Sequence, residues 1–581
     1  MAGFHLVRAG GGATARALVA AEQRFRSHGF TDFTPFDAGP YRGFHVGYIC
    51  GGPETFASFA DGDFIAVAGT LVYRGRVGAE ALRLLYADWR FPFDDWQNLA
   101  GQFALLVRKS GRLSLITDFF AAFQLFHDPD WRVVSTSFLA TAESRPRLRW
   151  HDQGLYEFAF NVFPIGDDTV FEDVRRLGPS LQVELADPPV FRRVVKQLPG
   201  DPEPMPIEDR IVRNAERLAE TIRPYAEHWG DRMQVPLSGG LDSRLALAAL
   251  RAAGVKPHVY VYGDPGDIDV EIARRMGAAE GFAVEHFDKR SHATVTPDAF
   301  AGVVERNWEE TDALTTDGGL FDNGGNRAAR YMRQAGGQLA VSGGCGEVYR
   351  NFFYLPDRRT RLRAVALTFF ARFHLPDVTE RFDRRRFISA IEAKLADSLY
   401  APIDRRLERT EVEQLYPRVR CRSFFGREIS LVGRHGAYLM PFLNRRVVAE
   451  ALRVPMDLKT AGRFEAMLLN RIDPALARHQ SAYGHSFAEP PNLDHRLSEL
   501  STTIRPAWLR QRSYSVRRRL GPLFDDHGGI LAPQYLGRVI DLHFPHMSAF
   551  FRPSNIADQG LYRRVATLEL LGEKLADRLV A

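Results

Sequence analysis

Short apolar runs separated by turn residues occupy the first part of the chain. Clear examples are residues 64–68 (FIAVA), 101–107 (GQFALLV) and 113–117 (LSLIT). Runs of this length that are rich in Val, Ile, Leu and Phe predict β-strands, and the residues between them predict turns. The pattern therefore predicts a strand-rich unit at the N-terminal end.

A break in this pattern falls at residues 200–206 (GDPEPMP), where prolines and acids are concentrated. Such a segment continues neither a helix nor a central strand, because proline lacks a backbone N–H donor. We predict a domain boundary here, with one domain at residues 1–200 and the second at residues 201–581.

Strands and helices alternate after the boundary. Apolar residues recur at helical spacing over 208–229, and short apolar strands are predicted at 233–237, 258–262 and 283–287. Because helical patterns separate these strands, the order is β-α-β-α-β, which predicts a parallel sheet with helices on both faces. The tail from about residue 490 is predicted to be helical, and it is rich in arginine.

The composition is that of a globular protein, with 45% hydrophobic and 25% charged residues among 581. These values exclude a disordered or collagen-like chain. The net charge of +5 is small for this length, so no nucleic-acid partner is expected. No apolar run approaches the roughly 18 residues of a membrane span. The N-terminus lacks a signal-peptide pattern, so a cytoplasmic protein is expected.

Three cysteines, Cys50, Cys345 and Cys421, are far apart in the sequence. This spacing suggests neither a zinc site nor a disulfide framework. It is consistent with a reducing compartment.

The most specific motif is Ser238–Ser243 (SGGLDS), which lies between a predicted strand and a predicted helix. Two glycines allow the backbone to approach a phosphate closely, and the helix N-terminus offers unpaired N–H groups. The two serines add hydroxyl donors. Asp242 is suited to hold Mg²⁺, which prefers carboxylates together with phosphate oxygens.

This motif resembles the pyrophosphatase loop of the N-type ATP pyrophosphatases. Further similarity lies in residues 99–104 (LAGQFA), 342–347 (SGGCGE, where the family has S-G-E-G-x-D) and 441–444 (PFLN). Over residues 1–485 the chain is similar to class B asparagine synthetases and their relatives, the β-lactam synthetases and the lasso-peptide macrolactam cyclases.

The resemblance implies an α/β protein of two domains. The first would be an N-terminal Ntn-hydrolase-like αββα domain of the type 2 glutamine amidotransferase kind. The second would be a C-terminal parallel-sheet ATP pyrophosphatase domain with a helical tail. It also implies ATP and Mg²⁺ as cofactors, and activation of a carboxylate as an acyl-adenylate that an amine then attacks.

The chain departs from the family at the expected glutaminase site. Ala2 stands where glutamine-dependent members have a nucleophilic Cys, and residues 68–70 (AGT) stand where they have N-G-E. Cys50 is internal and lacks the free α-amino group that serves as the base. A methyl group cannot attack an amide, so we expect no glutamine hydrolysis, and the amine would come with the substrate.

The second acidic loop, Ser342–Glu347, follows an apolar strand and would lie at the carboxyl edge of the sheet, where open α/β folds bind ligands. Glu347 aligns with the family's Asp, which contacts Mg²⁺ and pyrophosphate. Asp269, in the first turn of a predicted helix, is either a site acid or simple compensation of the helix dipole.

Gly344 stands where asparagine synthetases have Glu and β-lactam synthetases have Tyr, and glycine supplies neither an acid nor a base. Glu347 and Tyr349 are the nearby replacements. The family's late Lys would fall near residues 480–481, where Arg478, His479 and His485 are the local cations.

These motifs give three sets of predicted site residues. The predicted catalytic residues are Glu347, Tyr349 and His485. The predicted nucleotide-binding residues are Leu237, Ser238, Gly239, Gly240, Leu241, Asp242, Ser243, Tyr262, Gly343, Gly344 and Arg478. The predicted metal ligands are Asp242 and Glu347.

The favoured function is ATP-dependent amide-bond formation without glutaminase activity, with intramolecular closure of a peptide as one form. Asparagine synthetase-like amidation by free ammonia, a tailoring amide synthetase of a small-molecule or glycan pathway, and a non-catalytic pseudoenzyme stay open. A tRNA-modifying pyrophosphatase is disfavoured by the small net charge. The expected partners are a carboxylate substrate with an amine acceptor, such as a precursor peptide, and a protease or leader-binding protein.

Overall fold

The N-terminal half folds as two antiparallel sheets between helices. The computed structural model describes residues 3–10, 12–200, 203–288, 295–315, 320–520 and 527–580. The strands of this half are β1 (Gly3–Arg8), β2 (Phe33–Ala38), β3 (Tyr41–Val46), β4 (Phe56–Ser58), β5 (Phe64–Tyr73), β6 (Leu99–Lys109), β7 (Arg112–Thr117), β8 (Phe126–His127), β9 (Val133–Ser135), β10 (Arg175–Arg176), β11 (Leu181–Glu184) and β12 (Val190–Arg193). Its helices are α1 (Gly12–Ser27), α2 (Gly78–Asp88), α3 (Phe138–Glu143) and α4 (Asp152–Asn161).

Within the described residues, the first sheet has the order β10-β8-β9-β1-β3-β2 and the second the order β12-β11-β7-β6-β5-β4. The two sheets face each other: the rings of Phe36 in β2 and Phe64 in β5 have centroids 4.8 Å apart. Helices α1 and α3 pack on the outside of the first sheet, and α2 packs on the outside of the second. The predicted αββα arrangement is therefore confirmed.

Strand β5 shows why this sequence forms an inner layer. All of its residues are buried. Ile65 and Val67 face α2, whereas Ala66 and Ala68 belong to the core between the sheets. A strand that is buried on both faces needs an almost continuous apolar run, because successive side chains point to opposite faces.

The second half is built around a parallel sheet. Its strands are β13 (Met233–Pro236), β14 (His258–Gly263), β15 (Val284–Asp288), β16 (Leu339–Val341) and β19 (Tyr438–Leu439), with a separate small pair, β17 (Thr360–Arg361) and β18 (Arg406–Leu407). Its helices are α5 (Ile207–Trp229), α6 (Leu241–Ala252), α7 (Ile268–Glu280), α8 (Pro297–Thr311), α9 (Gly325–Gln334), α10 (Leu362–Val365), α11 (Arg384–Ser398), α12 (Arg409–Glu413), α13 (Gly426–Val432), α14 (Arg445–Leu452), α15 (Met456–Lys459), α16 (Arg463–Ile472), α17 (Pro474–Arg478), α18 (Leu493–Thr503), α19 (Ala507–Leu520), α20 (Pro533–Leu536) and α21 (Gln559–Lys574).

The order of this sheet in the described chain is β15-β14-β13-β16-β19, and all of its pairs are parallel. The chain runs outward from β13 to β15 and then returns to the other side of β13 to form β16. The predicted parallel sheet and helical tail are confirmed. Strand β19, which is only two residues long, had no recognisable pattern in the sequence.

Helix α5 packs against α6, α14 and α16. Its buried positions include Leu218, Ile222, Tyr225 and Trp229. Their spacing of four, three and four residues gives one apolar stripe, as the periodicity predicted. In the part of the chain that is described, no helix combines the length and apolar composition that a membrane crossing requires.

A buried carboxylate, Asp312, joins the two halves. It accepts hydrogen bonds from the Ser137 hydroxyl at 2.7 Å and the Phe138 N–H at 2.7 Å, at the N-terminus of α3. The guanidinium groups of Arg434 and Arg427 lie 3.3 and 3.7 Å away. Burial would raise the pKa of Asp312, but Arg434 and its neighbours outweigh burial and lower this pKa below its ordinary value.

We expect Asp312→Ala to lower the free energy of unfolding by about 3–5 kcal/mol at pH 7, because buried cations lose their partner. Urea unfolding measures the change. The pKa of Asp312 is lower in the folded state than in the unfolded chain. The stabilisation from ionised Asp312 is therefore complete above about pH 4, the usual pKa of an unfolded-state Asp. It is lost as the pH falls through the folded value, and the difference from wild type should shrink in acid.

The matched control is Asp37→Ala, since the Asp37 side chain is 76% exposed and pairs only at the surface with Arg42. Asp37→Ala should lower the free energy of unfolding by less than about 1 kcal/mol. Equal losses in the two variants would contradict a structural role for the Asp312 contacts.

Candidate functional site

The site forms where the strand order of the parallel sheet reverses. Strands β13 and β16 are neighbours in the sheet although β14 and β15 come between them in the chain. The loops after β13 and β16 therefore leave the same edge and diverge, and such a point is where open α/β sheets bind ligands. The two loops are the segments that the sequence singled out, residues 237–243 and 342–347.

The first loop is held in shape by its own hydrogen bonds. The Ser238 N–H donates to the Ser243 hydroxyl at 3.0 Å, and the two serine hydroxyls are 2.9 Å apart. The Gly240 N–H donates to the Ser238 hydroxyl at 3.2 Å. Leu237, which is buried, anchors the loop through an N–H bond of 2.8 Å to the Tyr260 carbonyl.

Asp269 fixes the middle of this loop. Its carboxylate, in the first turn of α7, accepts the Gly239 N–H at 2.7 Å. Helix α6 then starts at Leu241, and Gly240 at its N-cap supplies no side-chain hydrogen bond. Because no side chain caps this helix N-terminus, its backbone N–H groups make no capping hydrogen bond. These N–H groups and the helix dipole favour binding of an anion at the start of α6.

The second loop presses directly on the start of α6. A Cβ at Gly343 would lie 2.8 Å from the Ser243 nitrogen, and a Cβ at Gly346 would lie 2.5 Å from a carboxylate oxygen of Asp242. Only glycine allows this approach, because both contacts fall well inside van der Waals distance. The two loops therefore form one unit around Asp242.

Arg350 balances the charge of Asp242, and the sequence motifs did not predict this residue. Its guanidinium forms ion pairs with Asp242 and, at 2.7 Å, with Glu465 of α16. Glu465 is fully buried. Burial would lower the pKa of Arg350, but Glu465 outweighs burial and raises this pKa. The only sequence signal was the position of an arginine three residues after Glu347.

Glu347 lies beside this network and accepts a hydrogen bond from the Tyr416 hydroxyl. Burial raises the pKa of the Glu347 carboxyl above its usual value. Tyr416 begins a π-helical segment, Tyr416–Phe425, and such segments often occur at functional sites. The sequence did not single out Tyr416 either, since it is distant from every motif.

Gly344 is explained by the same π-helical segment. A Cβ at Gly344 would lie 2.8 Å from a ring carbon of Phe425 and 3.1 Å from the Met440 methyl carbon. The aromatic ring therefore fills the space into which a longer side chain at this position would extend.

A cavity of about 640 Å³ opens next to these loops, within the size range of small-molecule sites. Leu241, Glu347 and His485 line it, so the structure brings these three predicted residues together. The aromatic rings of Phe352 and Phe369 have centroids 4.9 Å apart. The other lining residues include Arg350, Asn351, Phe353, Tyr354, Arg372, Tyr483, Phe487, His495, Ser498, Glu499, Thr502, Arg505 and Arg510.

His485 is partly buried at this cavity. Its Nδ1 lies 3.3 Å from the Tyr483 carbonyl oxygen, and its ring centroid lies 5.6 Å from that of His495. Burial lowers the pKa of His495, and His485 lowers it further. The cavity thus carries two imidazoles together with Glu347.

Most of the other predicted site residues do not line this cavity: Leu237, Ser238, Gly239, Gly240, Asp242, Ser243, Gly343 and Gly344 belong to the adjacent loops, and Tyr349, Tyr262 and Arg478 lie elsewhere. Tyr349 is fully buried, its ring packs against Phe442 and Phe464, and its hydroxyl has no hydrogen-bond partner. The 3₁₀ turn Gly346–Tyr349 directs Tyr349 into the core, so its position does not support the predicted catalytic role.

Tyr262 lies at the end of β14, where burial raises the pKa of its hydroxyl. Arg478 is exposed at the end of α17. A buried neighbour, Arg244 of α6, donates instead to the carbonyls of His479 and Gln480 at 2.7 and 2.6 Å. Arg244 thereby attaches this segment to helix α6.

The donor set fits a Mg²⁺ that arrives with a nucleotide better than a resident metal. Among the residues that the structure describes, no group of three or more His, Cys, Asp or Glu side chains could hold a metal. Mg²⁺ is usually bound by one or two carboxylates plus phosphate oxygens and water. Asp242 and Glu347 are the two predicted carboxylates and lie on the two contacting loops, where Asp242 is paired with Arg350 and Glu347 accepts the Tyr416 hydroxyl.

The predicted glutaminase position is used for packing. Ala2 lies outside the described residues, and Ala68 is fully buried. The Thr70 hydroxyl accepts the Tyr438 N–H of β19 at 2.8 Å. The Cys50 N–H donates to the His435 carbonyl at 2.7 Å, and burial raises the pKa of the Cys50 thiol. This part of the first half therefore attaches to the parallel sheet.

Comparisons with known proteins give limited information. No family model and no curated protein matches the chain. One similar solved structure is the glutamine phosphoribosylpyrophosphate (PRPP) amidotransferase from B. subtilis complexed with ADP and GMP, at 10% identity and a TM-score of 0.24, covering 49% of this chain and 90% of that one. Another, the allosteric regulatory enzyme of purine biosynthesis, has 10% identity and a TM-score of 0.23, covering 49% of this chain and 80% of that one. These scores carry no argument about function.

We expect Gly343→Ala to destabilise the protein by about 1–3 kcal/mol, because the new methyl group would overlap backbone atoms of α6. Thermal unfolding measures the loss. The control is Gly266→Ala, where an added Cβ meets nothing within 4 Å. If both variants unfold at the same temperature as the wild type, the two loops are not in the close contact described.

Proposed function

We propose that this protein is an asparagine synthetase-like ligase that forms amide bonds by ATP-dependent adenylation of a carboxylate. The observation that carries the proposal is the contact of the Ser238–Ser243 loop with the Gly343–Glu347 loop at the point of strand reversal, beside a cavity of about 640 Å³. We place the boundary between the amidotransferase-like and synthetase domains at residue 200, and the activity in the cytoplasm.

The chain's own groups have distinct tasks in this proposal. The N-terminus of α6 and the hydroxyls of Ser238 and Ser243 hold the pyrophosphate end of ATP. Asp242 and Glu347 would hold Mg²⁺, which neutralises phosphate charge when bound. Arg350, at the cavity wall, offers a fork of N–H donors to a phosphate oxygen.

The cavity would hold the two reacting groups. Its aromatic wall excludes water from the acyl-adenylate, and binding in one cavity holds the amine close to the activated carbonyl. His485 accepts a proton from the attacking amine.

The substrate proposal is a molecule that carries its own amine. Intramolecular closure of a precursor peptide fits a site without glutamine-derived ammonia, and a protease or leader-binding protein would then act with it. Amidation with free ammonia and tailoring of a small molecule or glycan use the same chemistry. The cavity's several aromatic and arginine side chains favour a substrate larger than free aspartate.

A second function, nucleotide binding without turnover, is favoured by one observation. The Asp242 carboxylate is already paired with Arg350. In that case the loop would bind a nucleotide, but no AMP would form.

Asp242→Asn tests the first function. ATP–pyrophosphate exchange is measured with pools of free amino acids and of synthetic peptides that carry Asp or Glu. We expect the variant to lose at least about a hundredfold in rate, because charge stabilisation on the leaving pyrophosphate is lost. The control is Asp37→Asn, which changes an exposed acid.

Two results would contradict adenylation. One is formation of ADP in place of AMP, and the other is AMP without ¹⁸O when the label starts in the substrate carboxylate. Calorimetric binding of α,β-methylene-ATP by the wild type, with no exchange in any pool, would establish nucleotide binding without turnover.

Glutamine should not be hydrolysed. Incubation of the protein with glutamine is expected to release no glutamate above a blank, because Ala2 offers no nucleophile. Ala2→Cys should not restore activity, since Ala68 and Thr70 offer no amide to stabilise the oxyanion. Steady glutamate release from the wild type would refute this expectation.

A further inference from the structure

Helix α18 exposes a continuous apolar stripe. Leu493, Leu497, Leu500, Ile504 and Trp508 are each between 54% and 70% exposed. The spacing of four, three and four residues places Leu493, Leu497, Leu500 and the C-cap residue Ile504 on one face of α18, and Trp508 follows in α19 after a break at Pro506. Single exposed apolar residues are common, but a row at helical spacing marks an interaction surface.

The opposite face of α18 is polar and lines the candidate cavity. His495, Ser498, Glu499 and Thr502 are among the cavity residues. Surface helices normally turn their apolar stripe toward the core, whereas α18 contains no buried residue. Rotation of the helix to hide the stripe would remove these polar groups from the cavity.

Arg510 holds this arrangement in place. Its guanidinium donates to the Phe353 carbonyl at 3.1 Å, to the Thr503 carbonyl at 3.2 Å, and also to the carbonyls of Tyr354 and Thr502. The end of α18 and the start of α19 are thereby attached to the segment after Arg350. The exposed stripe is therefore a fixed surface.

The charge around the stripe is strongly positive. Residues 493–520 contain seven arginines and two acids in the sequence, a net charge of +5 that equals the excess of the whole chain. Arg496, Arg505 and Arg512 are exposed. The guanidinium carbon of Arg512 lies 5.5 Å from the ring centroid of Trp508. Arg496, Arg505 and Arg512 thus border the apolar row, whereas Arg510 is held by backbone carbonyls.

We propose that the stripe of α18 and α19 binds the surface of a bilayer that contains anionic lipids. A narrow apolar row with arginines beside it and a Trp at one end matches a helix that lies in the plane of the interface. The charge complements anionic headgroups. The inference is independent of the proposed function, and it would bring the cavity close to a membrane without a membrane-spanning segment.

Vesicle co-sedimentation of the full chain tests this proposal. The probes are vesicles of phosphatidylcholine alone and of phosphatidylcholine mixed with phosphatidylglycerol. We expect binding to the mixed vesicles only, with weakening at about 1 M salt, where charges are screened within about 3 Å. Leu497→Ser/Ile504→Ser should weaken binding at least about tenfold, because apolar area is lost from the contact.

The matched control is Leu375→Ser/Ile403→Ser, which changes a leucine and an isoleucine that are 51% and 46% exposed elsewhere. It should bind vesicles as the wild type does, and both double variants should unfold at the wild-type temperature. The proposal would be overturned if the wild type did not bind the mixed vesicles. It would also be overturned if the two double variants bound them equally well. If the wild type were a dimer and only Leu497→Ser/Ile504→Ser made it a monomer, the stripe would be the interface with a second copy of the chain instead.

Discussion

The close approach of two loops at one edge of the parallel sheet is the constraint on which the candidate site depends. Gly343 and Gly346 lie against Ser243 and Asp242 with no room for a Cβ. Strands β13 and β16 bring the loops together, Gly346 lies against the Asp242 side chain, and Gly343 lies against the backbone of α6. Such contacts tolerate little adjustment, since backbone atoms cannot move aside as a flexible side chain does. The positions of Asp242, Glu347 and the cavity all follow from this contact.

Charge compensation in the same region comes from Arg350, which pairs with Asp242 and Glu465. Glu465 is fully buried, so its carboxylate requires a partner to remain charged. One cation thus links the start of α6 to α16 through two acids. A phosphate that entered the site would meet a guanidinium whose position is already set by these ion pairs, which reduces the cost of ordering the site on binding. The pairing of Asp242 with Arg350 is also consistent with a protein that binds a nucleotide without turnover. Only the reaction products distinguish this function from carboxylate adenylation.

The N-terminal half has an αββα architecture, and the edge where the sequence predicted a glutaminase site serves as a packing surface. Thr70 and Cys50 form hydrogen bonds to the segment around β19, and Asp312 of the second half caps helix α3 of the first. These contacts are buried and polar, so they also orient one half relative to the other. The first half therefore supports the sheet edge at β19.

The sequence by itself determined the two sheet types and the glycine-rich loop between β13 and α6. Apolar runs such as residues 64–68 and the SGGLDS string at 238–243 are local patterns, and local patterns follow from backbone periodicity and turn chemistry. It also placed Glu347 and His485 beside one ligand site. Only the tertiary structure decided that Tyr349 lies in the core, that Phe425 fills the space above Gly344, and that Arg350, Tyr416 and Glu465 belong to the site. These residues come from distant elements and meet through packing, and no local pattern in a single sequence records which distant side chains share a volume.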